Sequence, residues 1–136
     1  MAEILHQLDT MSRIIDCIKL VKSEMGNYHR ENIYQTSLCV ELNINRFIIQ
    51  SEVIIPIFYK NVYVGLEKAD IIIYNSKGEI DYILELKSQA PKISSKEINQ
   101  LRKYLIDTKC QNGILVNFYD KLHIIKVTTD CFEIVC

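Results

Sequence analysis

Three residues could do chemistry together: Asp70, Glu85 and Lys87. Ala69 to Tyr74 and Ile80 to Lys87 are rich in Ile and Tyr, and Asn75-Ser76-Lys77-Gly78 between them is turn material, so the stretch reads as a β-hairpin. Side chains alternate along a strand, which puts Glu85 and Lys87 on one face and Leu84 and Leu86 on the other. Closing the hairpin at Asn75 to Gly78 brings Asp70, at the start of the first strand, beside Glu85 and Lys87. Paired carboxylates hold one or two hard divalent cations and leave positions open for water and a phosphate oxygen. A lysine beside them orients the attacking water or neutralises charge that develops on phosphorus. The same pattern also occurs on an ordinary solvated strand face, and Asp70 could simply flank a strand.

The elements that must position these groups are readable in outline. Ile4, Leu5, Leu8, Met11, Ile14, Ile15, Ile18 and Val21 recur at spacings of three and four, which predicts an amphipathic helix with a break near Asp9-Thr10. Gly26 is placed to cap it. A second helix is expected from Tyr28 to Leu42, with Glu31, Tyr34 and Gln35 on one stripe; an acidic residue in a first turn is also what the helix dipole alone favours. Phe47 to Ile49, Glu52 to Tyr59 and Val62 to Val64 read as strands, with Lys60-Asn61 as a hairpin turn and Pro56 marking an edge or a bulge. Ser94-Ser95 opens a third helix to about Asp107, on which Gln100 and Tyr104 share a face and Ile98, Leu101 and Leu105 form the apolar stripe. Gly113 to Phe118, Leu122 to Val127 and Phe132 to Val135 are strand-like. The order predicts an α/β (α+β) fold, a mixed sheet flanked by helices.

Composition bounds the rest. A chain of 136 residues with 49% hydrophobic content can bury a core as one domain over 1–136. No apolar run reaches the ~20 residues of a membrane helix, and Met1 to Asp9 lacks a basic leader, so the expectation is an intracellular protein, cytoplasmic or nuclear, not secreted and without a membrane partner. Five widely spaced cysteines, Cys17, Cys39, Cys110, Cys131 and Cys136, suggest small buried thiols rather than disulfides or zinc. His6, His29 and His123 fit no metal spacing and are taken as structural or surface residues. With a formal net charge of −1, nucleic-acid contact would need a local patch. Lys87, Lys92, Lys96, Arg102 and Lys103 are the candidates, unless they are an ordinary solvated helix face.

The order of an acidic helix residue, Asp, Glu-x-Lys and a helix bearing Gln-x-x-x-Tyr resembles the PD-(D/E)XK nuclease superfamily and its restriction-endonuclease-like fold. The stretch from Lys22 to Val127 is similar to the small GxxExxY proteins. Gly26 with Glu31 to Tyr34, Val53 to Lys60, Lys68-Ala69-Asp70, Ile83 to Lys87, Gln100 to Leu105 and Gly113 to Phe118 carry the likeness, six blocks in order.

The resemblance implies that Asp70 and Glu85 bind Mg²⁺, with Mn²⁺ as a substitute, and that Lys87 assists the nucleophilic water. It also implies that Glu31 helps position the metal or its water, with Gln100, Tyr104 and Lys103 in supporting or phosphate-contacting roles. It implies a nucleic-acid substrate, DNA ahead of RNA. The chain departs from the pattern at Tyr28 and Tyr119, where many relatives have glycine, at Lys68, where they have Arg, and at Glu97, where they have His. The interval of 15 residues from Asp70 to Glu85 is also long, an excess assigned to the Asn75 to Asp81 turn. Two functions follow: a metal-dependent nuclease, or a catalytically silent binding or assembly module of the same fold. In the second case a homodimer, through a strand edge or the first helix, or a recruiting protein is the expected partner.

Overall fold

The structure, a computed structural model, describes residues 2–136, and of residues 3–8 the backbone alone. Its elements are α1 (Ala2–Met25), α2 (Glu31–Ile44), β1 (Ile48–Tyr59), β2 (Val62–Tyr74), β3 (Ile80–Lys87), α3 (Ser95–Thr108), β4 (Gly113–Asn117), β5 (His123–Val127) and β6 (Phe132–Ile134). The six strands form one sheet in chain order. Every neighbouring pair is antiparallel except β3 and β4, which run parallel and are joined across the sheet by α3. This is a mixed α+β sheet flanked by helices, as expected.

Two apolar layers sandwich the sheet. On one face, Ile14, Ile18 and Val21 of α1 and Tyr34, Leu38 and Leu42 of α2 pack on Ile71, Ile73, Leu84, Leu86 and Val116. On the other, Leu101, Tyr104 and Leu105 of α3 pack on Ile72, Ile83, Leu115 and Val127. A Cβ at Gly113 would stand 3.1 Å from the Leu101 side chain, so glycine is what lets α3 lie this close to β4.

Helix α1 is continuous through Asp9 and Thr10, where a break was expected. Thr10 is buried, and an unbroken helix keeps its backbone groups paired. The expected contributions of Ile4, Leu5 and Leu8, and His6, lie outside the described residues. Gly26, at φ 72°, ends the helix as predicted, its N–H bonded to the Lys22 carbonyl at 2.9 Å. Helix α2 begins at Glu31 rather than Tyr28, because Tyr28 itself sits at φ 67°, outside helical space.

The strand fragments before the site fuse into two long strands of 12 and 13 residues, closed by Lys60 and Asn61, both at positive φ, in the two-residue turn that right-twisted hairpins favour. Pro56 sits on the edge strand β1, and the register slips beside it at Ile57 and Phe58. All five cysteines are free thiols. Cys17 and Cys110 are buried as expected, but Cys131 and Cys136 are exposed, because β6 is an outermost strand whose residues contribute nothing to either layer.

β1 and β2 change faces together. Ile49 and Ile71 pack toward α1 and α2, whereas Val53 and Ala69, each an even number of residues away, pack toward α3. Strict alternation would have kept them on their original side. Ser51 pairs with Ile71 and Val53 with Ala69, so the kink lies between, at Glu52 and Asp70, and Glu52 takes φ 53°.

Candidate active site

The kink is also where the sheet forks. Paired positions between β2 and β3 run from Tyr74 and Ile80 to Ile71 and Leu84, and there the ladder stops. One residue further, side chains replace it: the Asp70 N–H donates to Glu85 Oε1 at 3.0 Å, and the Leu86 N–H donates to Asp70 Oδ2 at 2.7 Å. Each carboxylate thus takes a backbone donor from the opposite strand and is fixed at the mouth of the fork.

The electrostatics follow from this placement. Glu85 is 5% exposed; burial, and then the charge of Asp70, push its pKa up to about 9. Burial also raises Asp70, against the opposing pull of the Leu86 N–H and Lys87. Glu31, in the first turn of α2, is raised by burial and by Asp70 and lowered by Lys87. Three carboxylates therefore share one field, with the Lys87 charge felt by all of them. Such crowding is relieved by a bound proton or by a cation.

Glu31 is held there by Tyr34, one turn further along α2. The Tyr34 hydroxyl donates to the Gly26 carbonyl at 2.6 Å, its ring stacks on Phe118 at 4.5 Å, and the His29 ring lies edge-on to it at 5.6 Å. Lys22 Nζ donates to the Phe118 carbonyl at 2.6 Å, and Ser88 Oγ to the His29 carbonyl at 2.6 Å. The loop from Gly26 to Arg30 is thereby bound to the ends of β3 and β4. His29, bonded to the Met25 carbonyl, is structural, as expected.

The α3 residues divide. Tyr104 is buried above the carboxylates: its hydroxyl lies 3.4 Å from the Lys68 carbonyl, and burial, then the charges of Glu85, Glu67 and Asp70, raise its pKa, so it stays protonated. Gln100 and Lys103 instead line a groove of about 510 Å³ with Glu67, Ser95, Lys96 and Asn99. The five-residue basic patch does not hold together. Arg102 turns to the Thr128 carbonyl at 3.2 Å, Lys92 borders a separate apolar pocket with His123 and Ile134, and only Lys96 and Lys103 share the groove. The α3 cations alternate around a helix and cannot all face one way. Glu97 accepts the Ser94 N–H at 2.9 Å, the return half of a capping box, and this fixes the start of α3.

Two acidic residues were not anticipated. Glu52 falls opposite Asp70, and its charge raises both Asp70 and Glu31. Glu52 is the single charged residue of β1, but nothing in the sequence places it at Asp70. Glu67, beside Tyr104, has a buried Oε2 with no hydrogen-bond partner among the described residues. Two departures from the family pattern also meet: Tyr28 and Tyr119 lie edge to face at 5.4 Å, with the Tyr28 N–H bonded to the Tyr119 carbonyl at 3.1 Å. The ring contact offsets the strain of a tyrosine at positive φ.

Among the described residues no group of three His, Cys, Asp or Glu side chains is arranged to hold a metal ion. The oxygen donors of Asp70 and Glu85 nevertheless suit Mg²⁺, which is commonly held by one or two carboxylates and keeps water or substrate phosphate as its other ligands. Comparison with known families agrees with the fold. The family model described as the PD-(D/E)XK nuclease superfamily matches residues 8–127, and the chain belongs to that superfamily. No curated protein matches it. Among the described residues no helix is long and apolar enough to cross a membrane.

Proposed function

We propose that the chain is a metal-dependent nuclease of the GxxExxY kind that hydrolyses phosphodiester bonds in nucleic acid, DNA ahead of RNA. The observation that carries this is the fork: two carboxylates, Glu85 buried and Asp70 half-buried, fixed by cross-strand backbone bonds, with Lys87 in their field and superfamily membership behind them. Asp70 and Glu85 would hold Mg²⁺, or Mn²⁺ in its place, and the ion would supply Lewis-acid polarisation of a phosphoryl oxygen. Lys87 donates to the attacking water or to the phosphate. Glu31 would accept from that water, and Tyr104, its hydroxyl bonded to the Lys68 carbonyl, would support the site from the α3 side. Gln100 and Lys103, along the groove, would contact the phosphate backbone.

The test is metal-dependent cleavage of single- and double-stranded DNA and RNA by the natural chain, Asp70→Ala and Lys87→Ala. Loss of about three orders of magnitude in both variants, with folding intact, is expected for removal of a metal ligand or a charge-stabilising donor. Equal activity in all three ends the nuclease reading and leaves the silent module.

A further inference from the structure

Beyond the fork, β1 and β2 leave the sheet. Their pairing runs on from Val53 and Ala69 to Tyr59 and Val62, while β3 accompanies β2 only over its last few residues. One face of this arm, through Ile55 and Ala69, is buried against α3. The other is bare: Ile54, Phe58, Tyr63 and Leu66 are each 48 to 59% exposed, and Tyr59 and Val62 at the tip are 57 and 63% exposed. A two-stranded ribbon is marginally stable in water unless a further layer covers it.

We propose that a second copy of this chain covers the bare face, making the arm the interface of a homodimer. From Ile54 to Leu66 the single charged side chain is Lys60, at the turn. Charge depletion with aromatic enrichment is the composition of an interface core. It is the reverse of what a polyanion needs, so the arm is not a nucleic-acid track. At roughly half exposure each, the four apolar side chains of that face and Pro56 offer on the order of 500 Å², so two copies bury about 1,000 Å², the size at which a specific interface begins.

A two-fold contact must also complement itself. On the bare face the projecting rings of Phe58 and Tyr63, edge to face at 6.1 Å, can meet the same pair on the partner copy, flanked by Ile54 and Leu66. Pro56 pairs with Leu66 inside the hairpin and has no N–H to offer on the free side of edge strand β1, so the copies meet through the faces of their arms, not by adding strand to strand.

The experiment is sedimentation equilibrium of the full chain without nucleic acid, with Phe58→Glu and Leu66→Lys as interface variants and Ile106→Glu, on the exposed side of α3, as the control. The natural chain and the control are expected at twice 15.9 kDa. Each interface variant, still folded by circular dichroism, should self-associate about 30-fold or more weakly, the loss of one interface hot spot. A natural chain that stays monomeric, whether free or sedimenting with anionic phospholipid vesicles, overturns the proposal, as does a dimer that both interface variants leave intact. The readout contains no cleavage step, so it fails or stands independently of the nuclease reading.

Discussion

Strand β2 is two different strands on either side of Asp70. From Ile71 to Ile73 it is fully buried and paired on both edges, to β1 and to β3. From Val62 to Lys68 it pairs with β1 alone and is largely exposed. The candidate site sits at the border. Burial from the inner half raises Glu85 and Asp70 above their ordinary range, and the departure of β3 opens the space a cation and a phosphate would enter. A site wholly inside the sheet would be closed to substrate. One wholly on the ribbon would be too well solvated to perturb a carboxylate.

The comparison sharpens most on stability. Ile72→Ala removes a side chain that is 1% exposed and should cost about 3 kcal/mol. Val64→Ala, at 59% exposure, should cost about 0.5 kcal/mol or less at dilutions where copies separate. Equal costs in chemical denaturation would erase the distinction between the halves.

Next comes pH. The Glu85 carboxyl titrates at about 9 when folded against 4.5 as a free side chain, so between those values the folded chain holds a proton that the unfolded chain has released. Stability of the metal-free protein should fall as pH rises through that window. Glu85→Gln should lessen the slope, and Mg²⁺ should stabilise the natural chain more at the alkaline end. Melting temperatures that do not change with pH in the natural chain would contradict the crowded-carboxylate description. The smallest effect is at Tyr28: replacing it by Gly relieves the positive φ but loses the Tyr119 contact, so melting should move by no more than the equivalent of about 1 kcal/mol.

Much of this was legible in the chain. The hairpin around Asn75 announced itself, because the Asn75 side chain accepts from the Lys77 and Glu79 backbone and Gly78 takes φ 80°, the residue types such a turn requires. The proximity of Asp70 and Glu85 followed from that turn and from strand alternation. Glu52 was not legible, since its place depends on a kink that β1 and β2 share and alternation alone denies. The turning away of Arg102 was equally hidden, because which α3 cation faces the groove is set by how α3 rolls against Leu115 and Val127. Exposure of Cys136 depended on β6 being an outer strand, a property of sheet order and not of its apolar neighbours.

The most direct test of the fork as a metal centre is the anomalous signal of Mn²⁺ in crystals of the natural chain and of Glu85→Gln at saturating metal. One ion held by the Asp70 and Glu85 carboxylates, its signal weakened or lost in the variant, is the predicted result. An ion bound elsewhere, or a signal of the same strength at the fork in both proteins, would contradict it.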